Sequence, residues 1–531
     1  MRKLFDFLQN DFGDDYLPAY INDKLKLLPR KEALRQIHFP DSETTLHRAK
    51  VRLKFEELFF LQLELIFVNR RRKSKTEGIK FDKIGNYFNN FYTDKLPFNL
   101  TGAQKRVIKE IRRDIGSGRQ MNRLLQGDVG SGKTIVSLMC MLIALDNGYQ
   151  TCLMAPTEIL AQQHYQSLSD ITDGLGIRIG FLSGTVKGMK RKLLLEELAS
   201  GQLHILIGTH AVIEDPVIFH NLGMAITDEQ HRFGVHQRGR LWRKSKLLPP
   251  HILVMTATPI PRTLAMTYYG DLDISVIDEL PPGRKPINTH HMYDSKRSYL
   301  NAFIKKEIAI GRQAYIVYPL IEESETLDLQ NLQDGYEYLL SVFPRPQYQI
   351  GIVHGRMKPL DKEMEMQRFK SGKTQILVAT TVIEVGVNVP NASIMVIENS
   401  ERFGLSQLHQ LRGRVGRGAD QSHCILMSSY KLSKEAKKRI KTMTETNDGF
   451  KIADVDLEIR GPGVIAGTRQ SGEMGLQLAN LSEDGRMLQT ARELVQEILE
   501  SDPNLEDDKH SALRSYIIKH KKRIVDWSKI G

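Results

Sequence analysis

Gly127, Asp128, Val129, Gly130, Ser131, Gly132, Lys133 and Thr134 form the stretch of this chain whose chemical capacity is plainest. They fit the spacing G-x-x-x-x-G-K-[ST], with the apolar Leu124-Leu125 before them and an apolar-periodic run from Ile135 to Leu145 after them. Strand, glycine-rich loop and helix, in that order, are what a phosphate cradle requires. The glycines let backbone N–H groups turn inward around phosphate, and the helix presents its positive dipole end to the same anion. Lys133 can reach the β- and γ-phosphates, and the Thr134 hydroxyl is placed to ligate Mg²⁺. A plain glycine-rich turn with a solvated lysine is the bland alternative, and the flanking pattern favours binding of a nucleoside triphosphate.

Asp228-Glu229-Gln230-His231 follows directly on the apolar run Met224–Thr227. A carboxylate at the end of a strand beside the phosphate-loop strand can hold Mg²⁺, and the next carboxylate can orient and deprotonate a water. Asp228 is expected at the metal and Glu229 at the water. Acidic pairs at strand ends are common, so the pattern draws its weight from the phosphate loop upstream. Farther along, Gln407-Leu408-His409-Gln410-Leu411-Arg412-Gly413-Arg414-Val415-Gly416-Arg417-Gly418 sets Arg414 and Arg417 among small residues. Guanidinium groups so placed suit a tight anionic site, where they stabilise charge on a transferring phosphoryl group. A basic loop on nucleic acid is the other reading.

These residues need a scaffold, and the patterning predicts an α/β one. From Leu96 to about Pro286, short apolar runs such as Cys152–Met154, His204–Gly208, Met224–Thr227 and Ile252–Met255 alternate with longer helical stretches. After Pro281-Pro282-Gly283-Arg284-Lys285-Pro286, which reads as a linker, the alternation restarts with Ala314–Tyr318, Gln349–Val353, Gln375–Ala379 and Ser393–Ile397. Buried strands alternating with helices imply parallel sheet with crossover helices. Two tandem α/β domains are expected, at 96–285 and 286–435, and the phosphate loop lies in the first. A helical segment, 1–95, precedes them, and a polar helical region with a glycine-rich insert, 436–531, follows. If the loop and the arginines lie in different domains, hydrolysis requires the cleft between them to close.

Within the first segment, His47 to Asn69 reads as one long amphipathic helix, with Leu53, Leu58, Leu61 and Leu65 near one face. It ends in Arg70-Arg71-Arg72-Lys73-Ser74-Lys75, which can contact a DNA backbone or simply close a helix with solvated cations. The charges Arg52, Lys54, Glu56, Glu57 and Glu64 exclude a membrane span there. Seventy-five Lys+Arg against 63 Asp+Glu give a net charge of +12 over 531 residues, which for a nucleotide-binding chain favours a polyanionic partner. Cys140, Cys152 and Cys424 stand far apart, with neither disulfide-framework nor zinc-site spacing. No secretory signal is read at the N-terminus, so a soluble cytoplasmic protein is expected.

Taken together, the motifs resemble the helicase core of superfamily 2. The stretch from Ala155 to His164 resembles the element gripping a nucleic-acid backbone, which implicates Pro156 and Thr157; Gly208-Thr209-His210-Ala211, with Thr209 and His210, resembles its companion. Thr256-Ala257-Thr258-Pro259 resembles the motif coupling hydrolysis to domain movement, through Thr256 and Thr258. Ala379 to Pro390 resembles the second-domain motif touching nucleic acid and nucleotide, through Thr380 and Gly386.

Within that superfamily the chain resembles the bacterial RecG family. Leu96 to Gln104 is similar to its adenine-side element, with Phe98 stacking on the base and Gln104 bonding its edge. Asp228 to Gly234, Glu32 to Pro40, and Asp456 to Gly463 followed by Gly467 to Gly472 carry the rest of the likeness. The last pair resembles a translocation element shared with the transcription-repair coupling factor, and it implicates Arg460, Arg469 and Gln470. The resemblance implies two RecA-like domains, ATP and Mg²⁺, and a motor on double-stranded and branched DNA that remodels stalled forks and Holliday junctions in repair and recombination. It also implies a contact with single-strand-binding protein, and with nothing in the sequence demanding a multimer a monomer is expected. The family usually opens with an OB-like wedge domain, and no such β-rich stretch precedes Glu32 here. Asn388 stands where the family often has Asp. The rival readings are a nucleotide-gated DNA-binding module without unwinding, a transcription-repair coupling motor and a metabolic P-loop kinase. The second α/β domain with its arginine pair disfavours the kinase.

Overall fold

The computed structural model describes residues 14–75, 77–229, 244–245, 248–256, 260–261, 264–265, 267, 272–319, 325–380, 389–416, 418, 420–460, 476–481 and 483–520. They fall into two compact units: the described parts of Met1–Thr76, Pro261–Asp273 and Leu457–Gly531 in one, and Glu77–Ile260 with Ile274–Asp456 in the other.

The first unit is helical and built around the helix Glu43–Lys75. Its expected leucine face is there, with Leu53, Leu58, Leu61 and Leu65 all buried. Phe55, Phe59, Phe60, Leu63, Ile66 and Phe67 are buried too, so the middle of the helix is enclosed nearly all round rather than along one stripe. Helices Arg30–His38 and Gly485–Ser501 pack against it. Several of its charges are therefore buried and have partners, as burial demands. Arg52, fully buried, donates to Glu56 at 2.6 Å and Asp15 at 2.8 Å. Glu64 accepts from the Tyr516 hydroxyl at 2.7 Å. Of the basic cluster, Arg70 donates to the Leu499 carbonyl in the last turn of Gly485–Ser501, where a cation meets the negative end of the helix dipole.

The second unit contains both parallel sheets. The first sheet takes β1 (Asn122–Gly127), β2 (Gln150–Met154), β3 (Ile179–Leu182), β4 (Ile205–Gly208), β5 (Leu222–Thr227), β6 (His251–Thr256) and β7 (Asp273–Ile277) in the order β3-β4-β2-β5-β6-β1-β7. Pairings from β3 through to β1 are parallel. The second sheet takes β8 (Asn288–Tyr293), β9 (Gln313–Tyr318), β10 (Ile350–Val353), β11 (Ile376–Thr380), β12 (Ala392–Ile397) and β13 (His423–Ser428) in the order β10-β11-β9-β12-β13-β8, every pair parallel. Central strands such as β1, β2, β5 and β9 are buried at every residue, because helices cover both faces. One point of the sequence reading is corrected. The acidic-pair strand β5 does not neighbour the phosphate-loop strand β1; β6 lies between them. Its last residue, Thr256, pairs in register with Gln126 of β1, which sets a hydroxyl-bearing residue between loop and carboxylates.

Residues 77–95 pack into the first lobe, with Ile79, Phe81 and Phe91 in its core. Helix α1 (Gly102–Ile115) opens on a capping box in which Thr101 accepts from the Gln104 N–H and the Gln104 side chain accepts from the Thr101 N–H. The three cysteines are buried, and burial pushes each thiol up to about 12. Among the described residues, no helix is long and apolar enough to cross a membrane.

His251 on β6 fastens the sheet to the preceding segment. Its Nδ1 accepts the Met121 N–H at 3.0 Å, so Nε2 carries the proton and donates to the Ile79 carbonyl at 2.7 Å. Burial pushes its pKa from 6.5 down to about 4. Between those values the unfolded chain binds a proton that the folded chain refuses, so stability is lost as pH falls through that window. The loss reaches on the order of 3 kcal/mol at its acid end. Urea midpoints measured from pH 7 to pH 4 should therefore fall less steeply in His251→Gln than in the wild type; parallel curves would contradict this.

Candidate nucleotide site between two lobes

The cradle is built from backbone. Helix α2 (Lys133–Asp146) begins at Gly132 with no side-chain cap, and while the Ile135 N–H donates to the Gly132 carbonyl, those of Lys133 and Thr134 before it face the helix start, where an anion binds. Gly130 and Gly132 adopt left-handed φ of 76° and 85°, which side-chain-bearing residues rarely take. A Cβ on Gly132 would collide with the Gln104 amide, and one on Gly130 with the Arg284 guanidinium. The Ser131 hydroxyl is buried without a hydrogen-bond partner, a polar group that a phosphate oxygen would satisfy. Lys133 Nζ donates to the Gly127 and Asp128 carbonyls at 2.8 and 2.9 Å. Burial lowers its pKa, while Glu229, Asp228 and Asp128 work to keep it charged.

Asp228 closes β5. Its backbone N–H donates to Met154, and its carboxylate accepts from the Glu229 N–H at 3.0 Å and pairs with His164 Nε2 at 2.8 Å. Burial alone would raise the Asp228 carboxyl, but His164, then Lys133 and the Glu229 N–H, hold it below its usual value. Glu229 stands at φ 54°, a left-handed conformation costing a non-glycine residue on the order of 1 kcal/mol. Strain of that kind gathers at functional positions.

The second lobe meets this loop through helix α3 (Leu405–Arg412) and the turn after it. Arg412 donates to His409 Nδ1 at 3.0 Å, so His409 carries its proton on Nε2 and donates to Asp128 at 2.6 Å. Burial would raise the Asp128 carboxyl, and the His409 contact outweighs it and keeps the pKa low. Arg412 is itself anchored on the Met443 and Thr446 carbonyls, both at 2.9 Å. A Cβ on Gly413 would stand 2.8 Å from Val129 Cβ, so only glycine permits this approach. Together these elements enclose a cavity of about 990 Å³ lined by Phe98, Gly130, Gly132, Lys133, Thr134, Asp228, Glu229 and, from the second lobe, Gln410, Arg414 and Gly416. That volume lies in the range of a small-molecule or cofactor site. Lys133, Arg414, Asp228, Glu229 and the helix N-terminus, all at this cavity, fit a triphosphate with a divalent cation.

Most of the expected site residues thus converge, and others have different work. Gln104 is nearly fully buried, with its amide spent on the Thr101 N–H and the Ser131 carbonyl at 2.9 Å, so it braces the loop rather than lying open to a base. Phe98 is 42% exposed at the cavity. Pro156 also lines the cavity, and the Thr157 hydroxyl caps the helix Glu158–Ile171. Thr209 is buried at the start of a short 3₁₀ turn, with His210 exposed beside it. Thr256 and Thr380 end β6 and β11, both buried. Arg460 ends the helix Gly449–Arg460. Arg417, Thr258, Gly386, Asn388, Arg469 and Gln470 lie outside the described residues. His164, Arg284 and His409 were given no role by the sequence reading, because the partner of each is distant in the chain.

Comparisons with known proteins agree with this geometry. Residues 101–267 match the DEAD/DEAH box helicase model, 295–419 the helicase conserved C-terminal domain, and 446–531 the model of ATP-dependent DNA helicase RecG, domain 3, C-terminal. The chain is 46% identical over 522 residues to the ATP-dependent DNA helicase RecG of Bacillus subtilis, covering 98% of this chain and 76% of that protein. It belongs to the RecG family. The RecG of Escherichia coli O157:H7 is 47% identical over 517 residues, covering 95% of this chain and 74% of that one. The chain spans 59% of the RecG of Synechocystis sp., to which it is 49% identical. A solved structure of RecG bound to a three-way DNA junction superimposes with a TM-score of 0.69 at 41% identity, covering 92% of this chain and 64% of that one. The helicase MrfA bound to DNA, at 16% identity and TM-score 0.52, shares the fold alone.

RecG-family membership gives the His164–Asp228 pair a testable role. A partner that orients a candidate metal-ligating carboxylate contributes about 10- to 100-fold in activity. His164→Ala should lower steady-state ATP turnover by that order while fluorescent-nucleotide binding persists; unchanged turnover would show that Asp228 holds its geometry unaided.

Proposed function

We propose that this chain is an ATP-driven motor on double-stranded DNA, which remodels branched DNA such as stalled forks and Holliday junctions. The observation that carries the reading is the shared cavity: the phosphate loop of one lobe and the Arg414 loop of the other line it together. RecG-family membership supplies the substrate class, and the +12 charge suits a partner gripped by its phosphates. Ionic contacts to a sequence-indifferent backbone are what a translocating motor requires.

Each group has a distinct task in hydrolysis. Lys133 donates to the phosphates in exchange for its two loop carbonyls. The cradle N–H groups and the Ser131 hydroxyl bind the same oxygens. Thr134 and Asp228 would hold Mg²⁺, which when bound neutralises charge on the phosphoryl oxygens. Glu229 orients the attacking water and accepts its proton. Arg414, joined by Arg417, stabilises the charge that develops as the phosphoryl group transfers. Because these groups come from two lobes, completing the site couples hydrolysis to relative lobe movement.

The working division places the motor in 96–285 and 286–435, with 1–95 leading into it and 436–531 carrying the coupling residues Arg460, Arg469 and Gln470. Pro156, Thr157, Thr209, His210, Thr256, Thr258 and Thr380 form the line from nucleotide to DNA, and Phe98 with Gly386 flanks the nucleotide. A cytoplasmic monomer that contacts single-strand-binding protein completes the proposal. The test is ATP turnover with and without forked duplex DNA. Wild-type turnover should rise with the fork, whereas Glu229→Gln should bind ATP and fork DNA tightly yet turn over at least 10²-fold more slowly, of the order a general base supplies. Fork-independent turnover would defeat the motor reading, and wild-type turnover in Glu229→Gln would remove that residue from the water.

A further inference from the structure

The linker between the lobes carries a guanidinium that sits in the same cavity. Arg284 Nε donates to the Gly416 carbonyl at 3.1 Å, and its Nη1 donates to the Val129 carbonyl. Val129 belongs to the phosphate loop and Gly416 to the loop bearing Arg414, so one side chain joins the two. The linker follows that second loop further: Gln421 donates to the Pro286 carbonyl at 2.7 Å, and a Cβ on Gly416 would stand 2.9 Å from Ile287 Cγ1. Burial lowers the Arg284 pKa, opposed by Asp128, so the side chain is held there at a desolvation cost. Two donors fixed on one rigid plane can span two carbonyls on separate loops, which a compact ammonium cannot do.

We propose that Arg284 is a positioning residue for hydrolysis, holding the Arg414 loop in register with the phosphate loop. The proposal rests on the reading of this cavity as a nucleotide site. On this account Arg284 acts through Arg414, and its loss lets the loop shift by a fraction of an ångström to an ångström. Misplacement on that scale costs up to about 10²-fold in rate.

The experiment measures ATP turnover and ATP affinity of the full chain with duplex DNA for Arg284→Ala, Arg284→Lys, Arg414→Ala and the Arg284/Arg414 double variant. Arg284→Ala should lower kcat by about 10- to 100-fold with Kd for ATP held within about threefold, and Arg284→Lys should not restore it. The double variant should turn over within about twofold of Arg414→Ala, because coupled residues are not additive. Multiplying losses, full rescue by lysine, or weakened ATP affinity with kcat intact would each overturn the proposal. Should Arg284→Ala fail to fold, Arg284→Gln, which keeps a planar donor, replaces it under the same criteria. Lys133→Ala run alongside separates the two failures. Full turnover there sinks the nucleotide-site reading itself, while loss at Lys133 with none at Arg284 sinks this inference alone.

Discussion

The Lys133 ammonium is buried beside Glu229, Asp228 and Asp128, and the surrounding structure is arranged to keep that charge and its counterions in place. Removing an ammonium from water is costly unless it is paired and hydrogen-bonded. Here the lysine takes two backbone carbonyls of its own loop, while the carboxylates are themselves held. His164 bonds Asp228, and His409 bonds Asp128. Each imidazole arrives from a different part of the fold, one from a crossover helix of the first lobe and one from the second lobe. On the proposed reading, a triphosphate would take the place of the two backbone carbonyls that now accept from the lysine.

The parallel sheets make that network possible. Strand order places β6 between the loop strand and the acidic strand, with Thr256 at its end in register with Gln126. The second sheet supplies no phosphate loop of its own. It contributes one helix, Leu405–Arg412, whose last turn is tied by Arg412 to the Met443 and Thr446 carbonyls. Gly413 then lets the next turn come within van der Waals distance of Val129. The two lobes of this unit thus line one cavity together, and the proposed hydrolysis draws on groups from both.

What could be read from the sequence was what is contiguous. The phosphate loop declared itself because its glycines, lysine and flanking strand and helix occupy a single run, and the fully buried central strands appeared as unbroken apolar runs. The edge strands β3 and β8 did not. In β8, Asn288-Thr289-His290-His291-Met292-Tyr293, no residue is buried, and β3 alternates between half-buried and buried, so neither shows a continuous apolar signal. The interposition of β6 was missed because sheet order is not encoded by the spacing of strands. His409–Asp128 and Arg284–Gly416 were illegible for the same reason: each partner is separately ordinary, and only packing brings them together. The adenine-side role expected for Gln104 met a local competitor, the Thr101 capping box, which a single sequence also contains.

The central claim is that the second lobe completes the nucleotide site, and single-turnover hydrolysis by Arg414→Ala with ATP already bound tests it most directly. The account predicts ATP affinity close to the wild type and a hydrolysis step slowed by about 10³-fold, the order lost with an arginine finger. Hydrolysis at the wild-type rate would contradict it.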